Sequence, residues 1–314
     1  MSLRITPLTD PAHGAHSRRL AWLASDADSI PVGTAFLRLF DGGQQHLAEL
    51  TLHVHPVERR KGVGSRLLDT AVAAARDNTR RCVVAQAGAG SPGDHFLPAH
   101  GFRKVLTLRY ARLPLADVDI PSLAEIIERP HSGYRLASWQ GTVPDDLAQT
   151  FTDSRRAMDD MPMEDTDHGT TTWDVDRVRA AAEAVEQRGD HLHTVVAIDT
   201  SNGSIAGFTE LVVPGGGTGD AQHYGTGVLP EHRGHGLGHW MKAESIRQAH
   251  GHYPDLGGLL TDTADSNTHM RHISDSLGYL PTHTTLQYQL DLYERTGRTW
   301  ASPCPAPSAL SQHT

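Results

Sequence analysis

Two stretches combine an arginine with spaced glycines: Arg59-Arg60-Lys61-Gly62-Val63-Gly64 and Arg233-Gly234-His235-Gly236-Leu237-Gly238. Each follows an apolar run ended by proline, Val54-His55-Pro56 in one and Val228-Leu229-Pro230 in the other, and each opens a segment of helical periodicity. The first amides of a helix lack intrahelical acceptors, and the helix dipole is positive there. Glycines add close approach and left-handed dihedrals, so the chemistry expected is the cradling of a pyrophosphate. His232 and His235 flank the later copy and are placed to help hold an anion. Neither copy has the Gly-Lys-Ser/Thr of a Walker loop, and Gly234-x-Gly236-x-Gly238 lacks the last spacing of a dinucleotide fingerprint.

The elements that must position these loops occur twice in one order. The first half reads as a strand at Arg4 to Leu8, a polar helix near His16 to Ala24, and strands at Val32 to Phe40 and His46 to His55. A helix follows from Ser65, with Leu67, Leu68, Ala71, Val72 and Ala75 on one face, then the strand RRCVVAQAG, a short helix or turn in GDHFLPAHGF, and the closing strand RKVLTLRYARL. Residues 116–130 read as a mixed linker. The later half repeats the order at greater length: YRLASW, two helices between Pro144 and Gly189 with Asp174 as an N-cap, a hairpin through Ser201-Asn202-Gly203, and the strand HYGTGVLP. A helix at His239 to His250, a strand at Gly258 to Thr263, a helix at Asn267 to Leu277 and the strand TTLQYQLDL complete it. A Gly-aromatic pair precedes the last strand of each half, Gly101-Phe102 and Gly278-Tyr279, so the chain is read as an internal repeat with a flexible tail at 294–314.

The composition limits what such a repeat does. The chain has 314 residues, enough for two domains, and a formal charge of -9, which opposes a main role in gripping nucleic acid or an anionic membrane. No amino-terminal apolar leader or membrane-length apolar run is read, so a soluble cytoplasmic protein is expected. The two cysteines, Cys82 and Cys304, form neither a disulfide framework nor a thiolate metal site. The 21 histidines include no H-E-x-x-H, and no metal is expected.

The paired loops resemble the acyl-coenzyme A loop of the GCN5-related N-acetyltransferases, and NTHMRHISDSLGYLP at Asn267 to Pro281 resembles the helix and Gly-aromatic turn that follow it. Two copies resemble the tandem form of that family, which includes mycothiol synthase and acylating enzymes of antibiotic pathways, over about residues 1–293. The resemblance implies an α/β fold with a twisted mixed sheet in each of two domains, 1–115 and 131–293. It implies acetyl-CoA or another acyl-CoA as donor, no metal, a small-molecule amine as acceptor, and a monomer or homodimer. The amides of Arg59, Arg60, Lys61, Gly62, Val63 and Gly64, and of Arg233, Gly234, His235, Gly236, Leu237 and Gly238, would hold pyrophosphate. Val54 and His55, Val228 and Leu229, and Asn267 would line the rest of the cofactor path.

The same resemblance implies that two strands splay apart to admit the pantetheine arm, and that an amide at Val228 or Leu229 polarises the thioester carbonyl. Gly225 and Gly227 suggest a bulge that re-aims it. Glu210, before the Gly-rich loop, is the candidate base, ahead of Glu49, and Tyr224 is the candidate acid because the family's tyrosine position holds Ser274 here and Leu97 in the first copy. Asp159, Asp160, Glu164 and Asp165 in the helical wall are expected to attract a cationic amine, with Asp160 and Glu164 assigned to the acceptor site. The wall belongs to the second copy alone, which is therefore the copy expected to catalyse. Alternatives are a CoA-binding sensor or scaffold without turnover, transfer of a non-acetyl group in natural-product biosynthesis, and amide formation from an aminoacyl carrier.

Overall fold

The computed structural model describes residues 3–9, 17–41, 45–159 and 172–293. The described chain divides into two compact units, one built from residues up to 40, from 45 to 83 and from 290 on, the other from 84 to 289 together with residue 41.

In the first unit β1 (Arg4–Leu8), β2 (Ser17–Ser25), β3 (Pro31–Phe40) and β4 (Leu47–Val54) form an antiparallel sheet in that order. Helix α1 (Val63–Asp77) packs on one face through Val63, Leu67, Leu68, Ala71, Val72 and Ala75, the stripe expected from its spacing. The polar helix expected near His16 to Ala24 is instead strand β2. Leu20, Trp22 and Ala24 alternate onto the face that pairs with Leu37, Ala35 and Gly33, and pairing on both edges overrides local propensity. On the alternate face Arg19 and Arg38 lie over the rings of Phe36 and Phe40, at 5.5 and 4.9 Å.

The second unit takes residues 84–88 of β5 (Cys82–Gly88), followed by α2 (Pro92–Ala99), β6 (Arg103–Pro114), α3 (Ile120–Glu128) and β7 (Tyr134–Gln140). Helix α4 (Ala148–Ser154) runs into a 3-10 turn at Arg155–Met158, and α5 (Val175–Gln187) starts on the Asp174 cap, whose Oδ1 accepts from the Arg177 amide at 2.8 Å. Strands β8 (His191–Asp199), β9 (Ile205–Val213) and β10 (Gly219–Val228) lead to α6 (Leu237–His252), β11 (Leu256–Ala264), α7 (Thr268–Ser276) and β12 (Leu280–Asp291). The sheet order is β5-β12-β6-β11-β10-β9-β8-β7, with β10 and β11 parallel. The closing strands of the two repeats are neighbours: β6 lies between β12 and β11, antiparallel to both.

Part of the expected linker is helix. Asp119 caps α3 by accepting from the Ser122 amide at 3.1 Å, and Leu123, Ile126 and Ile127 join the core that α6 makes with β9, β11 and α7. The spacing of those apolar residues is helical, and α6 supplies the surface that makes the helix worth forming. The other face of the sheet carries α4 and α5, where Phe151, Val178, Val196 and Phe208 form a separate core; complete burial of each large side chain contributes roughly 2–3 kcal/mol. Both helix and sheet content therefore match the expected mixed α/β class. Residues of the expected tail lie outside the described segments.

Candidate active site

The two Arg-Gly loops adopt one conformation. After β10 the Leu229 amide bonds to Ala206 O at 2.9 Å, a 3-10 turn spans Pro230–His232, and Arg233 is extended. Gly234 (φ 84°) and Gly236 (φ 75°) are left-handed, and Gly236 is the N-cap of α6. After β4 the His55 amide bonds to Val32 O at 2.9 Å, a 3-10 turn spans Pro56–Glu58, Arg59 is extended, Arg60 has φ 65°, and Gly62 (φ 84°) caps α1. Each loop arginine pins its own strand end: Arg233 Nε donates to Val228 O at 3.1 Å, and Arg59 Nε to Val54 O at 3.3 Å. Neither α1 nor α6 has a side-chain cap, whereas α2, α3, α5 and α7 are capped by Ser91, Asp119, Asp174 and Asn267. The helix starts that lack a cap at the paired loops are those free to receive an anion on their amides.

A further matched pair lies behind the loops. Gly33 pairs with Val54 and Gly207 with Val228. A Cβ at Gly33 would stand 2.8 Å from His53 O and 3.1 Å from Leu67 Cδ1, and one at Gly207 would stand 2.7 Å from Gly227 O and 3.1 Å from Met241 Cε. Glycine at these positions lets the helix that follows each loop lie directly on the strand pair. The signal was present in the repeat, as a glycine at the same place in each third strand, but carried no motif of its own.

At the second loop, the segment expected to be linker contributes directly. Trp240 Nε1 donates to Ile127 O at 3.0 Å, and His131 stacks on Trp240 with centroids 4.0 Å apart. His131 Nδ1 donates to Arg129 O at 2.8 Å, while its Nε2 lies 3.6 Å from where a Cβ on Gly236 would be. Tyr134 OH meets His232 Nδ1 at 3.0 Å, and the His235 ring lies 5.4 Å from that of Tyr134. Lys61 of the first loop, by contrast, pairs with Glu58 at 3.0 Å.

The expected splay is visible in the register. Strands β10 and β11 pair from Gly219↔Leu256 to Gln222↔Leu260 and no further. Beyond that point β10 continues on β9 to Val228↔Gly207, and β11 continues on β6 to Ala264↔Leu108. A bulge falls at Tyr224, between His223↔Leu211 and Gly225↔Glu210. Because the Leu229 amide is consumed by Ala206 O, it is not the expected thioester donor; strand alternation turns the Val228 and Thr226 amides to the open edge instead.

Gly225 and Gly227 are explained by close approach rather than by the bulge itself. A Cβ at Gly227 would meet Ala157 Cβ at 3.0 Å and Met158 Sδ at 3.2 Å, and one at Gly225 would meet Met158 Cε at 3.3 Å. The 3-10 turn after α4 thus lies close on the face of β10 beside the splay.

Glu210 stands opposite Gly225 and is 6% exposed, but it is not a free base. Arg155 Nη1 donates to Oε2 at 2.8 Å and Nη2 to Oε1 at 2.5 Å. The guanidinium lies 4.7 Å from the Phe151 and Phe208 ring centroids and 5.0 Å from that of Trp173. Both carboxylate oxygens therefore already accept a charged donor, and further proton traffic through Glu210 has to use their remaining lone pairs. A cleft on this side is lined by Thr152, Asp153, Arg155, Asp159, Trp173 and Asp174, among others. Asp159 reaches it, whereas Asp160, Glu164 and Asp165 lie outside the described residues.

Tyr224 is exposed and its hydroxyl accepts from Arg188 Nη2 at 3.1 Å. Asn267 uses Oδ1 to cap α7, accepting from the Met270 amide at 3.2 Å. Ser274 is buried in α7, and its carbonyl accepts from the Tyr279 amide. In the first unit a cleft is lined by Val32, Gly33, His53, Val54, His55 and Arg59, among others. Glu49 lies mid-strand in β4, opposite Arg38. Among the described residues no three His, Cys, Asp or Glu side chains gather as a metal site, and no helix is long and apolar enough to cross a membrane.

Arg155, His131 and Gly207 were not legible as site residues, because their roles come from contacts across 55, 105 and 20 residues.

Known proteins give the same picture. The acetyltransferase (GNAT) family profile matches residues 5–102 and 155–279. No curated protein sequence matches the chain. Among solved structures, a tandem GNAT protein from the clavulanic acid biosynthesis pathway superposes with a TM-score of 0.71 at 23% identity, covering 90% of this chain and 85% of that one. A GCN5-related N-acetyltransferase from Sphaerobacter thermophilus gives 0.67 at 15% identity over 87% and 81%. A glucosamine N-acetyltransferase region of a fungal multi-domain β-N-acetylglucosaminidase gives 0.59 at 15% identity over 86% of this chain and 33% of that one. With two matched regions, two Arg-Gly loops of matching backbone conformation and a splayed strand pair leading into one of them, the chain belongs to the acetyltransferase (GNAT) family in its tandem form.

Proposed function

We propose that the protein transfers an acyl group, acetyl first among them, from acyl-CoA to the amine of a small soluble molecule, and that the second repeat, 131–293, performs the chemistry. The observation that carries this reading is the fork between β10 and β11, with an uncapped helix start at one end and a helical wall over the bulge at the other. The amides of Gly234 to Gly238 would take the pyrophosphate, and the open edge at Thr226 and Val228 would take the pantetheine arm and the thioester oxygen. Acyl-CoA supplies the activated carbonyl. The chain's own work is to align the amine on the α4 and α5 side, exclude water with Phe151, Met158 and Phe208, and remove the ammonium proton.

Glu210 is proposed to accept that proton through a water while Arg155 holds its orientation. Asp159, with Asp160 and Glu164, would draw in a cationic amine. Tyr224, displaced outward by the bulge, is the proposed donor to the departing thiolate, and Asn267 is proposed to complete the cofactor path. The first repeat, 1–115, keeps the loop but has no described helical wall, and is proposed to bind CoA without turnover.

The reading is tested by following free-thiol release from acetyl-, propionyl- and malonyl-CoA against an amine library, with a Gly236→Val control. Release that depends on both an amine and Gly236 supports it. Saturable CoA binding with no thiol release from any donor would favour the sensor, which the serine at the family's tyrosine position also favours.

A further inference from the structure

The fork between β10 and β11 is bridged at the residues where the ladder stops. The last pair is Gln222↔Leu260, and the next residues are His223 on β10 and Thr261 on β11. On the α6 face His223 Nε2 meets Tyr279 OH at 2.8 Å, the Lys242 ammonium lies 5.0 Å over the Tyr279 ring, and Lys242 Nζ donates to Thr261 Oγ1 at 3.2 Å. On the other face Gln222 Nε2 donates to Asp262 Oδ1 at 3.2 Å. Two diverging strands are thus tied on both faces at their point of divergence.

The α6 side of this bridge is buried throughout: Lys242 is 1% exposed, Tyr279 2%, His223 5% and Thr261 8%. An ammonium in such a place loses its hydration, and an apolar side chain of equal length would fill the space at lower cost. Burial presses the Lys242 pKa down to about 8 against the opposing pull of the Asp262 carboxylate, and burial, with the Lys242 charge nearby, presses that of His223 well below its ordinary value. The charge sits where two strands part, five residues beyond the first residue of α6, whose amino end forms the phosphate cradle.

We propose that Lys242 is a positioning residue for the acyl-CoA pocket: by tying Thr261 to α6 at the end of the ladder, it sets how far β11 stands from β10 and fixes the fork relative to the cradle. This rests on the acyl-CoA reading above. The side chain does not touch the reacting atoms. It acts on the donor path, because the cradle and the fork are both referred to one helix, and leaves the α4 and α5 acceptor side unchanged.

Binding of CoA to the full chain by titration calorimetry tests this with Lys242→Met, Thr261→Val and Thr261→Ser. Loss of the tie in the Met and Val variants should weaken the second-repeat component of CoA binding about tenfold, or about 1.4 kcal/mol, and leave the first-repeat component unchanged, while Thr261→Ser, which keeps the hydroxyl, should stay within about twofold of the parent. The near-isosteric Thr261→Val carries the test if Lys242→Met does not fold. Folded Met and Val variants that bind CoA as the parent does would overturn the positioning role and leave the acyl-CoA reading standing. A Ser variant as weak as the Val variant would also overturn it. A parent chain that does not bind CoA would end the acyl-CoA reading itself, and the inference with it.

Discussion

Arg155 and Glu210 form a buried, two-pronged ion pair that ties the turn after α4 to β9, where Glu210 pairs with Gly225 just past the bulge of β10. The pair decides how Glu210 can act, since its carboxylate is oriented by a cation caged between Phe151, Phe208 and Trp173.

Breaking this pair from either side strands a buried charge. Arg155→Met is expected to cost about 3–5 kcal/mol in urea unfolding, whereas the double variant Arg155→Met/Glu210→Leu should recover most of that loss. Thiol release should separate the two roles: if Glu210 relays a proton, the double variant remains about a hundredfold or more slower despite its recovered stability. Recovery of turnover with stability would make the pair structural only.

Gly227 is expected to tolerate no side chain. Gly227→Val would press on Ala157 and Met158 and displace the turn after α4, at a cost of about 1–3 kcal/mol, and raise the acceptor KM more than the donor KM. Unchanged acceptor kinetics in a folded variant would place the acceptor elsewhere.

Lys242 gives a pH dependence of stability with a defined sign. Its folded-state pKa of about 8 lies below the ordinary value of 10.5, so between these limits the unfolded chain binds more protons than the folded one. Stability should therefore rise with pH through that window, by about 3 kcal/mol in all, and Lys242→Met should flatten the slope and be the more stable protein at pH 7. Chemical denaturation at pH 7.5, 9 and 10 measures it; a parent stability that falls over this range after correction for the variant would contradict the burial of a charged lysine.

The loops were legible because their determinants are local. Proline ends each strand and glycine meets the left-handed dihedral at each helix cap, Gly62 and Gly236, so the sequence carries most of the loop's conformation directly. The first copy is instructive, because Arg60 takes the left-handed dihedral that Gly234 takes in the second. What was not legible depends on partners far along the chain. Strand β2 looks polar until β1 and β3 pair with it, α3 looks like a linker until α6 covers Leu123, and the Leu229 amide looks available until Ala206 O is seen to hold it. Arg155 carried no motif, and Lys242 reads in sequence as one more helical charge.

Arg60 offers a small, clean test of the shared loop conformation. Arg60→Gly should stabilise the chain by about 0.5–1 kcal/mol, by releasing the side-chain penalty of a left-handed dihedral against the greater freedom of an unfolded glycine. A thermal melt that moves down instead would mean that the arginine side chain contributes more than its backbone costs.

The central claim is acyl transfer at the second repeat, and the most direct measurement is the rate of thiol release from acetyl-CoA at saturating amine for Gly236→Val beside Gly62→Val. Both glycines have positive φ, so the two substitutions impose similar backbone strain on matched loops. Loss of turnover in Gly236→Val, with Gly62→Val retaining turnover and changing only stability or CoA retention, is the predicted result. Turnover that survives Gly236→Val and is abolished by Gly62→Val would contradict the account.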